Sequence, residues 1–335
     1  MEKIINKIIS PDNLNSNWDN LADLYFQKRE FLTHLHKYNP CSQRYYELYC
    51  DNCLVAGAVV YTLRINILTF ANIPSPLRFQ VIGLPVSIAA PPIIGDFREF
   101  EYLLSELIKL ESGIILGLNF LHDYLANKVL NLRTLPTIIL KPGFDKIENY
   151  ENSLRHAYRR RIHRIRQKFL NVTSVTSECI GFNEEHYALY LEIMKKTTTK
   201  FETLSLESFK YLPFDFQLTT YYIEKVMLCW HIILKDVNVL FFYFGGMNYL
   251  LRDQFQSYNN NLLGILSYAI DQKFNLIDLG QTAETAKTRL GGELSERRMF
   301  LYHKNPLIFG VIKIFRNLIS YNKINQSCHV FKIGN

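Results

Sequence analysis

The sequence predicts a mixed α/β (α+β) chain made of two successive units. Three observations predict it. Amphipathic helical spans alternate with short apolar strands along the whole chain. The two halves run through one order of elements: helix, hairpin strands, strand, helix, strand. Between them, residues 141–150 (KPGFDKIENY) carry the Pro142-Gly143 turn signal. The expected division is therefore 1–148 and 149–335.

In the first half, Asp12 and Asn13 mark a turn, and residues 16–37 place Trp18, Leu21, Leu24, Phe26, Phe31 and Leu35 as the apolar side of one or two short helices. Residues 45–71 switch to strand character, with Asp51-Asn52 as a hairpin turn. A strand over RFQVIGLPV follows, then a Pro-rich loop. GDFREFEYLLSELIKLESG sets Phe97, Phe100, Leu103, Leu104, Leu107 and Leu110 at helical spacing, and Gly113 stops that helix. GIILGLNF is a buried strand, HDYLANKVL a short helix, and LPTIIL another strand.

The second half opens on one long helix, about 149–169. A strand (VTSVTS), a helix (183–201) and two strands (225–236 and 237–248) lead to a helix starting near Asn260 or Asn261. The strand NLIDLG, a polar turn and a strand from Arg298 follow. An amphipathic helix over 305–322 has Lys313, Arg316 and Asn317 as its polar side.

Composition narrows the function classes. A chain of 335 residues that is 48% hydrophobic and 21% charged affords a sizeable core and excludes global disorder. With only 15 Gly and 11 Pro, long low-complexity linkers are excluded too. The formal net charge of +7 is compatible with phosphate-bearing partners without demanding them. Cys50 and Cys53 form a lone CxxC with no second pair, so no metal site is expected, and the scattered thiols point to a reducing compartment. MEKIINKIISPDN lacks the apolar core of a signal peptide, and no run reaches about 18 apolar residues. The expectation is a cytoplasmic protein.

Three constellations can carry chemistry. The helix SLRHAYRRRIHRIRQKF holds seven cations (Arg155, Arg159, Arg160, Arg161, Arg164, Arg166 and Lys168) and no acid from Ser153 to Leu170. Like charges four apart repel by a few tenths of a kcal/mol, and guanidinium groups suit phosphate. Against a merely solvated face, this favours an anionic partner. Next, a strand ends at Gly245-Gly246, passes Asn248, and leads through Tyr258, Asn259 and Asn260 into a helix whose first N–H groups suit a pyrophosphate. An ordinary strand–helix–strand unit with nothing bound reads the same way. Last, the turn after Asp278-Leu279-Gly280 collects Gln281, Thr282, Lys287 and Arg289 before Gly291-Gly292 and Glu293. Asp278 is either an acid or base at a strand end or a structural acceptor for backbone amides. No GxSxG, HExxH, Walker or dinucleotide-binding glycine pattern occurs. His34 and His36 lack a third ligand, and His231 sits in a strand as a core residue.

Asp278-Leu279-Gly280-Gln281-Thr282, then Lys287, then Arg289-Leu290-Gly291, resembles the hallmark of GNAT-fold N-acyltransferases related to the Fem peptidyltransferases. The basic helix with Tyr150, Leu154 and Arg159-Arg160-Arg161 is similar to the helix that opens the second GNAT domain there, and Trp18, YYELY and VIGLPVS resemble the first. The resemblance implies two GNAT-like domains in tandem, each a mixed, largely antiparallel sheet flanked by helices, with the active site in the C-terminal one. It implies acyl transfer to an amine from a thioester (acyl-CoA or acyl carrier protein), with no tightly bound cofactor. The alternatives are an aminoacyl-tRNA donor of the Fem type, or a non-catalytic RNA-binding module using 153–168. The pyrophosphate loop of ordinary acetyltransferases falls at Gln256–Leu263, where QSYNNNLL lacks both glycines, which favours a longer acyl donor, a tRNA or a carrier protein.

Within that reading the expected roles are these. Backbone N–H groups around Tyr243–Gly246 hold the oxyanion. Asp278 or Glu293 removes the proton, and Tyr258 or Tyr302 protonates the leaving group. Lys287 and Arg289 steady an anionic part of donor or acceptor, with Gly245, Gly246, Asn248, Asn259, Asn260, Gln281 and Thr282 lining the donor path. Apart from the resemblance, the amphipathic tail helix with Lys313 and Arg316 keeps a peripheral membrane contact open as an alternative.

Overall fold

The computed structural model describes residues 2–71, 73–87, 89–197, 202–323 and 328–332. The chain forms two compact units. The first is Met1–Leu135, Thr198–Ser208 and Glu296–Lys323; the second is Pro136–Thr197, Phe209–Ser295 and Ile324–Asn335. The expected boundary after residue 148 therefore falls inside the second unit, and the first unit takes back a segment from the far end of the chain.

The first unit holds β1 (Lys3–Ile8), β2 (Arg44–Cys50), β3 (Cys53–Asn66), β4 (Pro76–Ile82), β5 (Ile93–Gly95), β6 (Ile114–Phe120), β7 (Leu130–Arg133) and, from the end of the chain, β15 (Arg298–Tyr302). Its sheet runs β1-β2-β3-β4-β6-β15-β7, with β5 beside β3. The β2–β3 hairpin turns at Asp51 and Asn52, whose φ of 47° and 65° put both in the left-handed conformation such two-residue hairpins require. Cys50 and Cys53 are the register pair that closes it, so the CxxC is a turn. The helix Phe100–Leu110 buries Leu103, Leu104, Leu107 and Ile108 and connects β4 to the parallel β6. Residues 122–129, expected to be helical, form no helix; Lys128 and Val129 close turns onto the Leu125 carbonyl instead.

The second unit has β8 (Thr137–Leu140), β9 (Thr173–Glu178), β10 (Phe216–Ile223), β11 (Val226–Asp236), β12 (Val239–Met247), β13 (Leu276–Asp278) and β14 (Glu293–Ser295). The order is β14-β8-β13-β12-β11-β10-β9. Four antiparallel strands, β9 to β12, are followed by the helix Ser257–Asp271 and the parallel strand β13. The first unit has the same plan: four antiparallel strands, β1 to β4, then a helix and a parallel strand. Each sheet is completed by one strand from the other half of the sequence, β15 beside β6 and β8 beside β13.

The long helix expected over 149–169 is two, Ile147–Ser153 and His156–Gln167. The break lies at Leu154, which forms a β-bridge with Phe331 while the Arg155 N–H donates to the Val330 carbonyl. Side-chain periodicity carries no trace of a backbone contact with residues so distant in sequence.

Two histidines are buried against the second sheet, His186 on the helix Glu184–Lys196 and His231 within β11. His186 contacts the Thr220 hydroxyl at 2.8 Å, and the Nδ1 of His231 meets Asn261 Oδ1. Burial pushes each from 6.5 down to about 4. A base whose folded pKa is depressed leaves stability intact above 6.5 and loses it as pH falls from 6.5 towards 4. Each site then costs about 3 kcal/mol at the acid end. Urea midpoints of the parent and of His231→Gln, compared at about pH 7 and about pH 4.5, should show the larger acid loss in the parent; equal losses would contradict it.

Candidate active site

The site is built where β12 and β13 part. They pair for three residues only, Val239–Leu276, Leu240–Ile277 and Phe241–Asp278. β12 continues to Met247 along β11, with a bulge at Tyr243: Ile233 faces Phe242 and Ile232 faces Phe244. A bulge bends its strand and re-aims the following peptide groups. Past Phe241 no strand pairs with the other edge of β12 among the described residues, so its peptide edge is released from the sheet there while the strands remain paired below.

Gly245 and Gly246 line that stretch, opposite His231 and Trp230. A Cβ at Gly246 would overlap the Trp230 indole, whose Nε1 donates to the His186 carbonyl at 2.9 Å. The glycine lets the buried tryptophan pack against the backbone of the parting strand. Asn248 closes the turn beyond: its Oδ1 accepts from the Leu250 and Leu251 N–H groups at 3.0 and 3.3 Å.

The helix after β12 starts at Ser257, three residues before the expected Asn260. Its N-cap, Gln256, is left-handed at φ 51° and makes no side-chain cap bond. Asn260 serves other backbone instead. Its amide donates to the Ile165 carbonyl at 2.9 Å and the Phe255 carbonyl at 3.0 Å, tying down the ends of two neighbouring helices. Asn259 donates to Gln256 Oε1 at 3.0 Å. The fully buried Ser257 hydroxyl has no hydrogen-bond partner among the described residues. An uncapped helix start beside an unpaired hydroxyl is where an anion gains hydrogen bonds. Tyr258, on the same first turn, is raised well above its ordinary pKa by burial, then by Tyr249.

The opposite wall is the turn after β13. Asp278 Oδ1 accepts from Thr137 Oγ1 and, at 2.7 Å, from the Gly280 N–H. Gly280 has φ 71°, and Thr282 and Ala283 follow at 63° and 48°. For a β-branched residue this is an outlier, and such strain gathers at functional sites. The loop expected here contains a short helix, Glu284–Thr288. It delivers Lys287 under the turn, where Nζ donates to the Gly280 and Gln281 carbonyls at 3.0 and 2.8 Å and lies 6.0 Å from the Phe242 ring centroid. Burial lowers Lys287 to about 7, opposed by the nearby Asp278 and Glu284 carboxylates.

Glu293 is exposed on β14, across β8 from Asp278: both face Ile139. Two strand spacings separate their backbones by about 10 Å. Tyr302 belongs to the first unit, paired with Ile115. Thr282 and Arg289 are exposed, Gln281 half-buried.

Sequence reading alone missed Thr137, which enters from the other half of the chain, and the cation set around Arg289. Arg161 is held below its ordinary pKa by partial burial first, and then by Arg289 and Arg164. Geometry brings them together. Tyr158, one turn before Arg161, is hydrogen-bonded with Cys328, and Cys328 Sγ lies 3.8 Å from Thr288 Oγ1, next to Arg289. Of the cations on His156–Gln167, Arg166 pairs with Glu151 at 2.9 Å. No ion pair engages Arg161, Arg164 or Arg289 among the described residues.

No family model and no curated protein sequence matches this chain. Solved structures do. The structure of L-PGS from Bacillus licheniformis is similar at 8% identity, covering 86% of this chain and 95% of that one, with a TM-score of 0.52. A tandem GNAT protein from the clavulanic acid biosynthesis pathway is 9% identical, over 89% of this chain and 98% of that one, at 0.50. FemX is 13% identical, over 81% and 90%, at 0.49. Each unit runs through four antiparallel strands, a helix and a parallel strand, and the likeness to the tandem GNAT protein spans nearly the whole of both chains: the fold is the tandem GNAT fold.

Proposed function

We propose that the second unit is an N-acyltransferase that forms an amide by direct attack of an amine on an acyl donor. The observation that carries this reading is the parting of β12 and β13 past Phe241–Asp278, beside an uncapped helix start and above a strained turn. The donor proposed first is a thioester on coenzyme A or an acyl carrier protein. The amine nitrogen attacks the carbonyl carbon, a C–N bond forms and the C–S bond breaks. The thiolate leaves on its carrier and takes up one proton, and the attacking nitrogen releases one. Backbone N–H groups of β12 beyond Phe241, on the edge away from β11, receive the carbonyl oxygen as it gains charge. Tyr258, protonated at neutral pH, supplies the proton to the thiolate.

Lys287 is the proton acceptor this geometry favours. A neutral lysine amine has two N–H donors and one lone pair. Its donors are used by Gly280 and Gln281 carbonyls, which leaves the lone pair, and with a pKa of about 7 about half of the amine carries that pair unprotonated at neutral pH. Asp278, engaged through Oδ1 by Thr137 and Gly280, positions the turn. Gln281, Thr282 and Arg289 line the path of the carrier's phosphates.

The bare cations Arg161, Arg164 and Arg289 favour a second reading, an aminoacyl-tRNA donor, with the same attack but a ribose hydroxyl leaving. A non-catalytic RNA-binding role would use these cations without the turn. Donor consumption measured with a panel of acyl-CoAs, acyl carrier proteins and aminoacyl-tRNAs against amines separates the three. Turnover with one donor class, lowered at least about tenfold in Asp278→Asn and in Tyr258→Phe, is expected. RNA affinity falling steeply with salt, with no donor consumed, would overturn catalysis.

A further inference from the structure

The tail helix of the first unit, Pro306–Ile314, continues after Phe315 as Arg316–Ile319. It is rigidly seated. Asn305 Oδ1 accepts from the Leu307 N–H at 2.9 Å, Pro306 opens the first turn, and Ile312 and Ile319 are buried in a core with Leu116, Met299 and Leu301. Yet its largest side chains face outward: Leu307 is 80% exposed, Val311 54% and Ile314 77%, with Ile308, Phe315 and Leu318 also exposed. At 100° per residue the four within Pro306–Ile314 share an arc of about 120°, and Phe315 and Leu318 follow just beyond that helix. Isolated exposed apolar residues need no explanation, but four on one face of one helix, with two more directly after it, do.

Charge decides what covers this face. Lys313 and Arg316 project from the other side of the helix, and Lys304 and Lys323 flank it. From Arg297 to the end of the sequence there is no Asp or Glu. Apolar residues on one side with only cations on the other match an interface whose interior is hydrocarbon and whose surface is anionic. No described helix is long and apolar enough to cross a membrane, so the geometry is that of a helix lying on one. We infer that the 306–319 segment docks the protein on an anionic phospholipid surface, with Leu307, Val311, Ile314 and Leu318 entering the acyl boundary and Lys313 and Arg316 among the headgroups.

Vesicle flotation of the full chain tests this. The protein should float with phosphatidylcholine vesicles containing phosphatidylglycerol, and more weakly with phosphatidylcholine alone. Leu307→Glu with Ile314→Glu should lower flotation at least about tenfold on both. Lys313→Gln with Arg316→Gln should lower the anionic case to the phosphatidylcholine level and leave the latter unchanged. All four sites are exposed, so thermal melting should match the parent; Val311→Asp with Leu318→Asp is an independent pair with the same expected loss. Absence of flotation overturns the inference. So does flotation that survives both apolar pairs, which would assign binding to the basic helix at 156–167. A dimer in light scattering that both apolar pairs dissolve, without flotation, would make the occupant a second copy.

Discussion

Lys287→Met should remove most turnover, by about a hundredfold or more, and should change stability with a sign that depends on pH. The parent buries an amine whose pKa is lowered from 10.5 to about 7. Below the folded value both states carry the proton, and the folded state bears the full cost of a buried charge. Between about 7 and 10.5 the folded amine is neutral while the unfolded one is charged, so the cost shrinks as pH rises, by at most about 1.4 kcal/mol per unit. Above 10.5 it is gone. Methionine fills similar space, removes that cost and forfeits two hydrogen bonds to the Gly280 and Gln281 carbonyls, about 1 kcal/mol each. The parent-minus-variant difference should therefore favour the variant or lie near zero at neutral pH, and should move towards the parent by a few kcal/mol on approaching pH 10. Urea midpoints measured in pairs across pH 7–10 read this directly, because other titrating groups cancel. A flat difference would mean that Lys287 does not titrate in this range. In turnover, the parent should show a basic group near pH 7 that the variant lacks; a parent profile without that limb would remove Lys287 as proton acceptor while leaving its stability role intact.

The parts of this site that local pattern specifies were legible in the sequence, and the parts that depend on partners distant along the chain were not. β12, β13 and the turn announce themselves through an apolar run, a strand ending at Asp278 and glycines at 280, 291 and 292. The hydrophobic period also places the helix after β12, although not its first residue. Asn259, Asn260 and Asn261 all suit an N-cap by type, but Asn260 is taken by the Ile165 and Phe255 carbonyls and Asn261 by His231 and the Trp230 carbonyl. Propensity cannot express that competition, because the competing acceptors lie as far as 95 positions away. Which strand completes which unit did not show for the same reason. β8 and β15 have ordinary strand patterns, and nothing local to them states which sheet each will complete. The tail helix is the converse: its amphipathic period is plain in the sequence, but only the structure shows that the apolar side faces outward.

Arg161→Gln combined with Arg289→Gln should weaken donor binding by about a hundredfold while leaving the protein as stable as the parent or slightly more so. An arginine engaged in an ion pair normally stabilises the fold, and its loss leaves a carboxylate unmatched. Among the described residues, no ion pair engages either of these two. Arg161 is lowered by partial burial and then by Arg289 and Arg164, so those neighbouring charges make its own harder to hold. Neutralising both relieves repulsion of a few tenths of a kcal/mol. The compensation must come from outside the chain. A charge-assisted hydrogen bond to a phosphate oxygen contributes about 1.5–3 kcal/mol, so two such bonds correspond to about two to four powers of ten in affinity, reduced by exposure and salt. Titrations of the parent and the double variant with coenzyme A and with tRNA, each at low and raised salt, give the comparison. A large loss for one carrier and a small one for the other identifies the donor, and the slope of affinity against salt should flatten in the variant for that carrier alone. Unchanged affinity for both carriers, or a double variant that melts well below the parent, would show that the cluster is held by the fold and not by a ligand. Paired with the pH series on Lys287, the measurement separates the wall that holds the donor from the turn that handles the proton, since the arginine variant should raise KM with kcat preserved and the lysine variant should do the reverse.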